Sequence, residues 1–367
     1  MSIRQLTYGD VRIGELLPWD VCGENGALLV RRGYVPTSSS QLDSLVARGF
    51  IDDPDHAAEL AARVEPPSVV RLLNTAAAQL APLLQGLTGG MGADGLAGVA
   101  ALVSQAVDVN PEVAVAAILH NQGAPYAVRH PIDTAVVALI VARAVKRPAD
   151  EQESMLRAAL TMNVGMPALP EQQGALSDAE RALVRTHPQR GVALLRQAGV
   201  HDAVWLASVQ SHHENEDGSG YPDGLAADAI AAPAKLVALA DRYCARISRR
   251  AWCKPVLPNA ALRDILLEAR HALDAQLGAV LIRELGIYPV GTYVRLLNGE
   301  IAVVARKGVN STTPHVQSII GPRGARLDVF LQRDTRGDLS AIREVLDAGQ
   351  VDAVFRMEQV WGREAAG

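Results

Sequence analysis

From about Ser68 to about Leu285 apolar residues recur at intervals of three and four, in segments such as VVRLLNTAAAQLAPLL and HPIDTAVVALIVARAV. That interval is the repeat of one helix face, so this long stretch is expected to fold as a bundle of α-helices. Abundant alanine favours helix and lets neighbouring helices approach closely. After Tyr288 the period changes. TYVRLLNGEIAVVARKG places an Asn298-Gly299 turn between two strand-like runs, and HVQSIIGPRGARLDVFLQ repeats the arrangement around Gly321 to Gly324, so two β-hairpins are expected. A helix near Asp338 to Ala348 is expected to follow them.

The beginning of the chain has another character. VRIGELLPWDV and ALLVRRGYV read as strands joined by the turn-rich Gly23 to Gly26, and TSSSQLDSLVARGF reads as a hydroxyl-capped helix ending at Gly49. DDPDHAAEL reads as a linker or boundary. The expected fold is therefore mostly α, a helical bundle with small β-rich modules at the N- and C-termini. The expected divisions are an α+β module over 1–60, a helical linker or bundle region over 61–123, a main helical domain over 124–286 and a β-rich appendage over 287–367. TGGMGADG at 88–95 is expected to be a loop, and it lacks the lysine of a phosphate cradle.

Composition narrows the function classes. A hydrophobic fraction of 49% with 20% charged residues belongs to a globular chain rather than a disordered one. A net charge of -5 and a pI near 6.0 argue against binding duplex nucleic acid through overall charge. Cys22, Cys244 and Cys253 form no CxxC pair, and read as reduced thiols of a cytoplasmic protein. The longest apolar segment, Ala135 to Ala142, is far short of the ~18 residues of a membrane span, and the N-terminus lacks a signal-peptide pattern.

The candidate chemistry lies on histidines and one aspartate in helical contexts. His130 opens an apolar helix, His187 sits in RTHPQRGVALL, and His212 and His213 end the helix VWLASVQSHHE. Asp241 lies in the apolar AKLVALADRY, where an unpaired carboxylate would be costly. Imidazoles and carboxylates projected inward from several helices are the way a bundle holds divalent cations. His201 and His271 have no such context and read as capping or surface residues.

The order and surroundings of these residues resemble the HD-GYP family of bacterial cyclic di-GMP phosphodiesterases, a branch of the HD metal-dependent phosphohydrolase superfamily. The resemblance covers about Ala124 to Gly286 and is strongest in HHENEDGSGYPDGL, with support from PYAVRH, LSDAERALVRTHPQRGVALL and AKLVALADRYCARISRRAWCKP. It implies hydrolysis of a cyclic dinucleotide with two or three metal ions, often iron or manganese. It further implies that His187, His212 and His213 ligate one metal, and that His130 and Asp241 ligate its neighbour.

One segment departs from the family. The His-Asp doublet and the lysine that follows it fall on AALTMNVGMPALP, at Met162, Asn163 and Met166, while Gly165 and the flanking Ala158, Ala159 and Leu160 keep the frame. Asn163 is neutral and cannot compensate two adjacent dications. Met162 offers a soft thioether where a hard ion prefers imidazole or oxygen. Met166 offers no cation to a phosphate. At most one divalent metal, iron or manganese by resemblance, or none, is therefore expected, with catalysis impaired or absent.

Recognition elements persist beside this loss. Asp217, Gly218, Gly220, Tyr221 and Pro222 form a loop with special backbone conformations that, by resemblance, shapes the site entrance and in some relatives helps dock diguanylate cyclase domains. Arg250 and Lys254 match positions where relatives present cations to dinucleotide phosphates; Cys253 stands for a second arginine, Cys244 for a second aspartate, and Arg249 reads as solvated. The expected function is a degenerate HD-GYP protein binding cyclic di-GMP, a related nucleotide or a diguanylate cyclase, with a homodimer left open. The alternative is an active phosphodiesterase working with a reduced metal site.

Overall fold

The computed structural model describes residues 3–8, 10–53, 67–167, 177–249 and 254–367. The chain divides into two compact units, residues 1–66 and 67–367.

In the first unit a four-stranded antiparallel sheet, in the order β1-β4-β2-β3, is built from β1 (Ile3–Gln5), β2 (Val21–Cys22), β3 (Leu28–Val30) and β4 (Phe50–Asp52). Helix α1 (Ser39–Arg48) packs on it through Leu42 and Leu45, together with Leu6, Val11, Leu17, Val21 and Ile51. Ser38 caps its first turn by accepting the Gln41 amide, and Gly49 ends it, as the hydroxyl run suggested. The two long strands expected here are much shorter. Most of VRIGELLPWDV is loop, because its amides bond across to another loop: Gly14 donates to the Pro36 carbonyl and Leu17 to the Tyr34 carbonyl. The expected linker lies, from Pro54 on, outside the described residues.

The second unit carries the helical bundle. Its helices are α2 (Val69–Thr88), α3 (Leu96–Val109), α4 (Pro111–His120), α5 (Tyr126–Ala144), α6 (Ala149–Thr161), α7 (Asp178–Arg185), α8 (His187–Gln197), α9 (Ala203–Ser211), α10 (Ala232–Ile247), α11 (Pro258–Glu268) and α12 (Ala275–Leu285). One aliphatic core runs through them from Val69 to Leu285. Helix α5 is its axis. It packs against α10 and α6, and alanines at 135, 138 and 142 let it be buried almost all round. Even Arg129, His130, Asp133 and Thr134 on α5 are buried. Polar side chains at such depth need partners, which is the first structural pointer to a site. No single helix among the described residues is long and apolar enough to cross a membrane.

After α12 the chain forms a five-stranded antiparallel sheet, in the order β8-β7-β6-β5-β9, from β5 (Tyr293–Leu296), β6 (Ile301–Arg306), β7 (His315–Ile320), β8 (Arg326–Asp334) and β9 (Ile342–Leu346). Both expected hairpins are present, and Gly299 takes the positive φ of 89° that the Asn-Gly turn calls for. The helix expected near Asp338 to Ala348 is not there. Ile342–Leu346 instead pairs as a strand with β5, where Glu344 accepts from Arg295 at 2.8 Å, flanked by single 3-10 turns at Asp338–Ser340 and Ala348–Gln350, and α-helix returns among the described residues at α13 (Met357–Trp361). The sheet joins the bundle at His120, whose Nε2 meets the Gly291 carbonyl at 2.7 Å amid Tyr293, Phe355 and Trp361.

Candidate metal centre

Three histidines meet where helices begin and end. His187 starts α8, and His212 and His213 follow directly on α9. Carbonyls in the last turn of a helix lack an intrahelical donor, and here ring nitrogens supply one. His187 Nδ1 donates to the Val184 carbonyl and His212 Nδ1 to the Val209 carbonyl, each at 2.7 Å. A carbonyl only accepts, so each Nδ1 carries the proton and each Nε2 keeps its lone pair.

Those two Nε2 atoms face each other at 3.1 Å. Two lone pairs at that distance repel unless a cation lies between or beside them. A proton is disfavoured: burial, with His212 alongside, pushes His187 down to about 4, and burial likewise lowers His212 and, further, His213. His213 completes the group, with a ligand nitrogen of each of the three within 4.8 Å of the others. Neutral, convergent and pre-oriented imidazoles are a donor set that fits one divalent metal ion.

His130 and Asp241 form a pair of their own, bridging α5 and α10, with His130 Nε2 donating to Asp241 Oδ1 at 2.8 Å. Burial opposes ionisation of Asp241, but the hydrogen bond from His130 outweighs it and holds the carboxyl well below the usual range. Tyr126 stacks on the His130 ring at 4.9 Å, and His130 Nδ1 is buried without a hydrogen-bond partner. His130 lies inside α5, not at its opening. Cys244, at the position of a second family aspartate, is fully buried, and burial pushes its thiol well up, so it stays protonated.

The turn holding Met162, Asn163 and Met166 lies against the start of α8. A Cβ on Gly165 would fall 2.3 Å from the His187 carbonyl oxygen and 2.4 Å from the Gly191 amide, so glycine alone permits this backbone contact. Met162 has no solvent exposure and belongs to the aliphatic core, Asn163 is half-buried, and Met166 is 39% exposed.

The loop from His213 to Leu225 is held by a residue that the sequence did not single out. Glu214 is buried, and its carboxylate accepts the amides of Asp223 at 2.7 Å, Gly224 at 3.1 Å and Leu225 at 3.0 Å. Gly220 touches the chain so closely that a Cβ would lie 2.5 Å from the Asn215 amide, and Gly218 takes a φ of 76°. Asp217 accepts from Ser219, and the Tyr221-Pro222 peptide is cis. Tyr221 stacks on His213, with ring centroids 4.7 Å apart, so loop and metal position are in contact. Arg242 anchors the loop by donating to Asn215 and pairs with Glu268 at 3.5 Å.

Of the other expected site residues, Lys254 is exposed and Arg250 lies outside the described residues, as does Cys253; Arg249, read as solvated, is exposed. His201 and His271 are exposed and away from the cluster. Glu214, Arg242 and Tyr126 were missed because their roles are contacts made across the fold. The one available signal was the position of Glu214 directly after the histidine pair.

Residues 116–277 match the family model described as HD domain. The cyclic di-GMP phosphodiesterase PA4108 of Pseudomonas aeruginosa is 29% identical over 268 residues, 71% of this chain and 62% of that protein. The response regulator RpfG of Xanthomonas campestris, also a cyclic di-GMP phosphodiesterase, is 31% identical over 154 residues, 40% of each chain. The chain thus spans less than two thirds of the length of these relatives. Among solved structures, Bd1817, an HDG"Y"P protein from Bdellovibrio bacteriovorus, shares the fold with a TM-score of 0.50 at 13% identity, over 76% of this chain and 98% of its own. Taken with the histidine cluster and the loop that follows it, these likenesses make the chain a member of the HD-GYP family.

Proposed function

We propose that this chain is a degenerate HD-GYP protein of bacterial cyclic di-GMP signalling, impaired in hydrolysis, which acts by binding a cyclic dinucleotide at the histidine cluster or a diguanylate cyclase domain at the Tyr221 loop. The observation that carries this reading is the contrast between Met162, wholly absorbed into the aliphatic core, and a recognition loop still braced by Glu214. His187, His212 and His213 would hold one divalent ion. Such an ion, when bound, attracts phosphate oxygens and makes a coordinated water more acidic.

The chain's own groups set the limits of that chemistry. Asn163 contributes a neutral amide, so no carboxylate from this turn offsets a second dication. Asp241 is already committed to His130 at 2.8 Å. Met166 provides no charge to a departing oxygen. A second reading, an active enzyme with a one-metal site, is favoured by the free Nε2 pair at 3.1 Å.

Metal analysis of the purified chain, combined with a turnover assay on cyclic di-GMP, separates the two. One metal or fewer per chain without turnover is expected, and robust hydrolysis with two metals per chain would sink the proposal.

A further inference from the structure

The turn that has lost its lysine is not far from positive charge. Arg185 ends α7, two residues before His187, and its guanidinium lies over the Tyr221 ring, 4.7 Å from the centroid. His213 stacks on the same ring, with its centroid also 4.7 Å away. Tyr221 therefore links the exposed Arg185 guanidinium to the histidine cluster. Arg190 stands three residues after the buried His187 on α8, so the two occupy adjacent positions at that end of the helix. Its backbone carbon would be 3.0 Å from a Cβ on Gly165, which sets it beside the Met162–Met166 turn.

Both arginines are exposed, and among the described residues neither has a hydrogen bond or ion pair to a carboxylate. This separates them from Arg242 and Arg246, which are engaged by Glu268. A guanidinium offers a planar fork of donors suited to phosphate oxygens, and one resting on an aromatic face is held in place without being consumed.

We infer that Arg185 and Arg190 form a phosphate clamp at the mouth of the histidine cluster, and that they supply the cationic contact Met166 cannot. The ligand class is the phosphodiester of a nucleotide. This rests on the nucleotide-binding reading above, and the test separates the two. Arg185 and Arg190 are positioning residues here, since the clamp orients a phosphate without itself reacting.

The test is calorimetric titration of the full chain with cyclic di-GMP, and a phosphorus NMR titration with inorganic phosphate. Both are run on the parent, R185A, R190A, R185A/R190A, R185K/R190K and, as a control further along α8, R196A. Each single alanine variant is expected to weaken binding about tenfold, and the double variant about a hundredfold, because a charge-assisted hydrogen bond to phosphate is lost each time. The double lysine variant should recover part of the affinity, R196A should match the parent, and metal content and Tm should not move. Parent binding of phosphate alone, lost in the double variant, supports the clamp and overturns the cyclic dinucleotide reading. A double variant that binds both probes as the parent does overturns the clamp and leaves that reading standing. A parent that binds neither probe overturns both.

Discussion

Two short segments meet at Gly165, and they are built on opposite principles. On one side His187 and His212 are held by carbonyls near the ends of α7 and α9, which leaves each Nε2 free for an ion. On the other, Met162 is buried with aliphatic neighbours, as any core methionine would be. The first side has the rigidity of a site; the second has only the rigidity of a core. The difference teaches that a backbone frame is independent of the chemistry it carries, since Gly165 makes its close contact while Met162, Asn163 and Met166 beside it carry no ionisable groups.

The largest effect should come from erasing the contrast. Met162→His, Asn163→Asp and Met166→Lys together should raise metal content to two per chain and increase cyclic di-GMP hydrolysis about 100-fold or more, the scale of adding an electrostatic catalytic group. Unchanged turnover in a well-folded triple variant would mean that more than this turn was lost. Breaking the opposite side comes next. His212→Ala should weaken metal binding by more than about 100-fold in a chelator competition, since losing a ligand costs more than losing an outer-shell partner.

Glu214→Ala tests whether the loop depends on its own brace. Removing the shared acceptor of three amides should cost about 2–3 kcal/mol and speed hydrogen exchange at Asp223, Gly224 and Leu225. Exchange unchanged at those amides would show that the loop is held by something else. The smallest effect belongs to Met162→Leu, which should cost under about 1.5 kcal/mol and leave metal affinity untouched. A marked fall in affinity would place the thioether in the site after all.

Much of this was legible in the residues, for identifiable reasons. The three-and-four repeat survives in α5 because every turn of that helix is buried, and Asn298-Gly299 marks its hairpin because the turn demands positive φ. AIREVL, by contrast, puts apolar groups at 342, 345 and 346, a spacing that suits a helix face as well as a strand. The pairing with Tyr293 to Leu296 decided it. In the first unit VRIGELLPWDV has the composition of a strand, but its amides find partners in another loop. At the centre, His187, His212 and His213 could be nominated because imidazole is rare and chemically distinctive. Glu214 and Arg242 could not, since a surface carboxylate or guanidinium looks the same in sequence as one that ties a loop together.

The tight backbone contact at Gly165 has a consequence for how this site changes over time. A turn fastened through main-chain atoms keeps its path whatever side chains it displays, so it behaves as a socket rather than a fitting. Hydrolytic groups could be dropped there without unfolding the bundle, and they could be put back by a few substitutions without rebuilding a loop. Among relatives carrying the same glycine, working and non-working forms should therefore be near neighbours in sequence, separated by side chains and not by architecture.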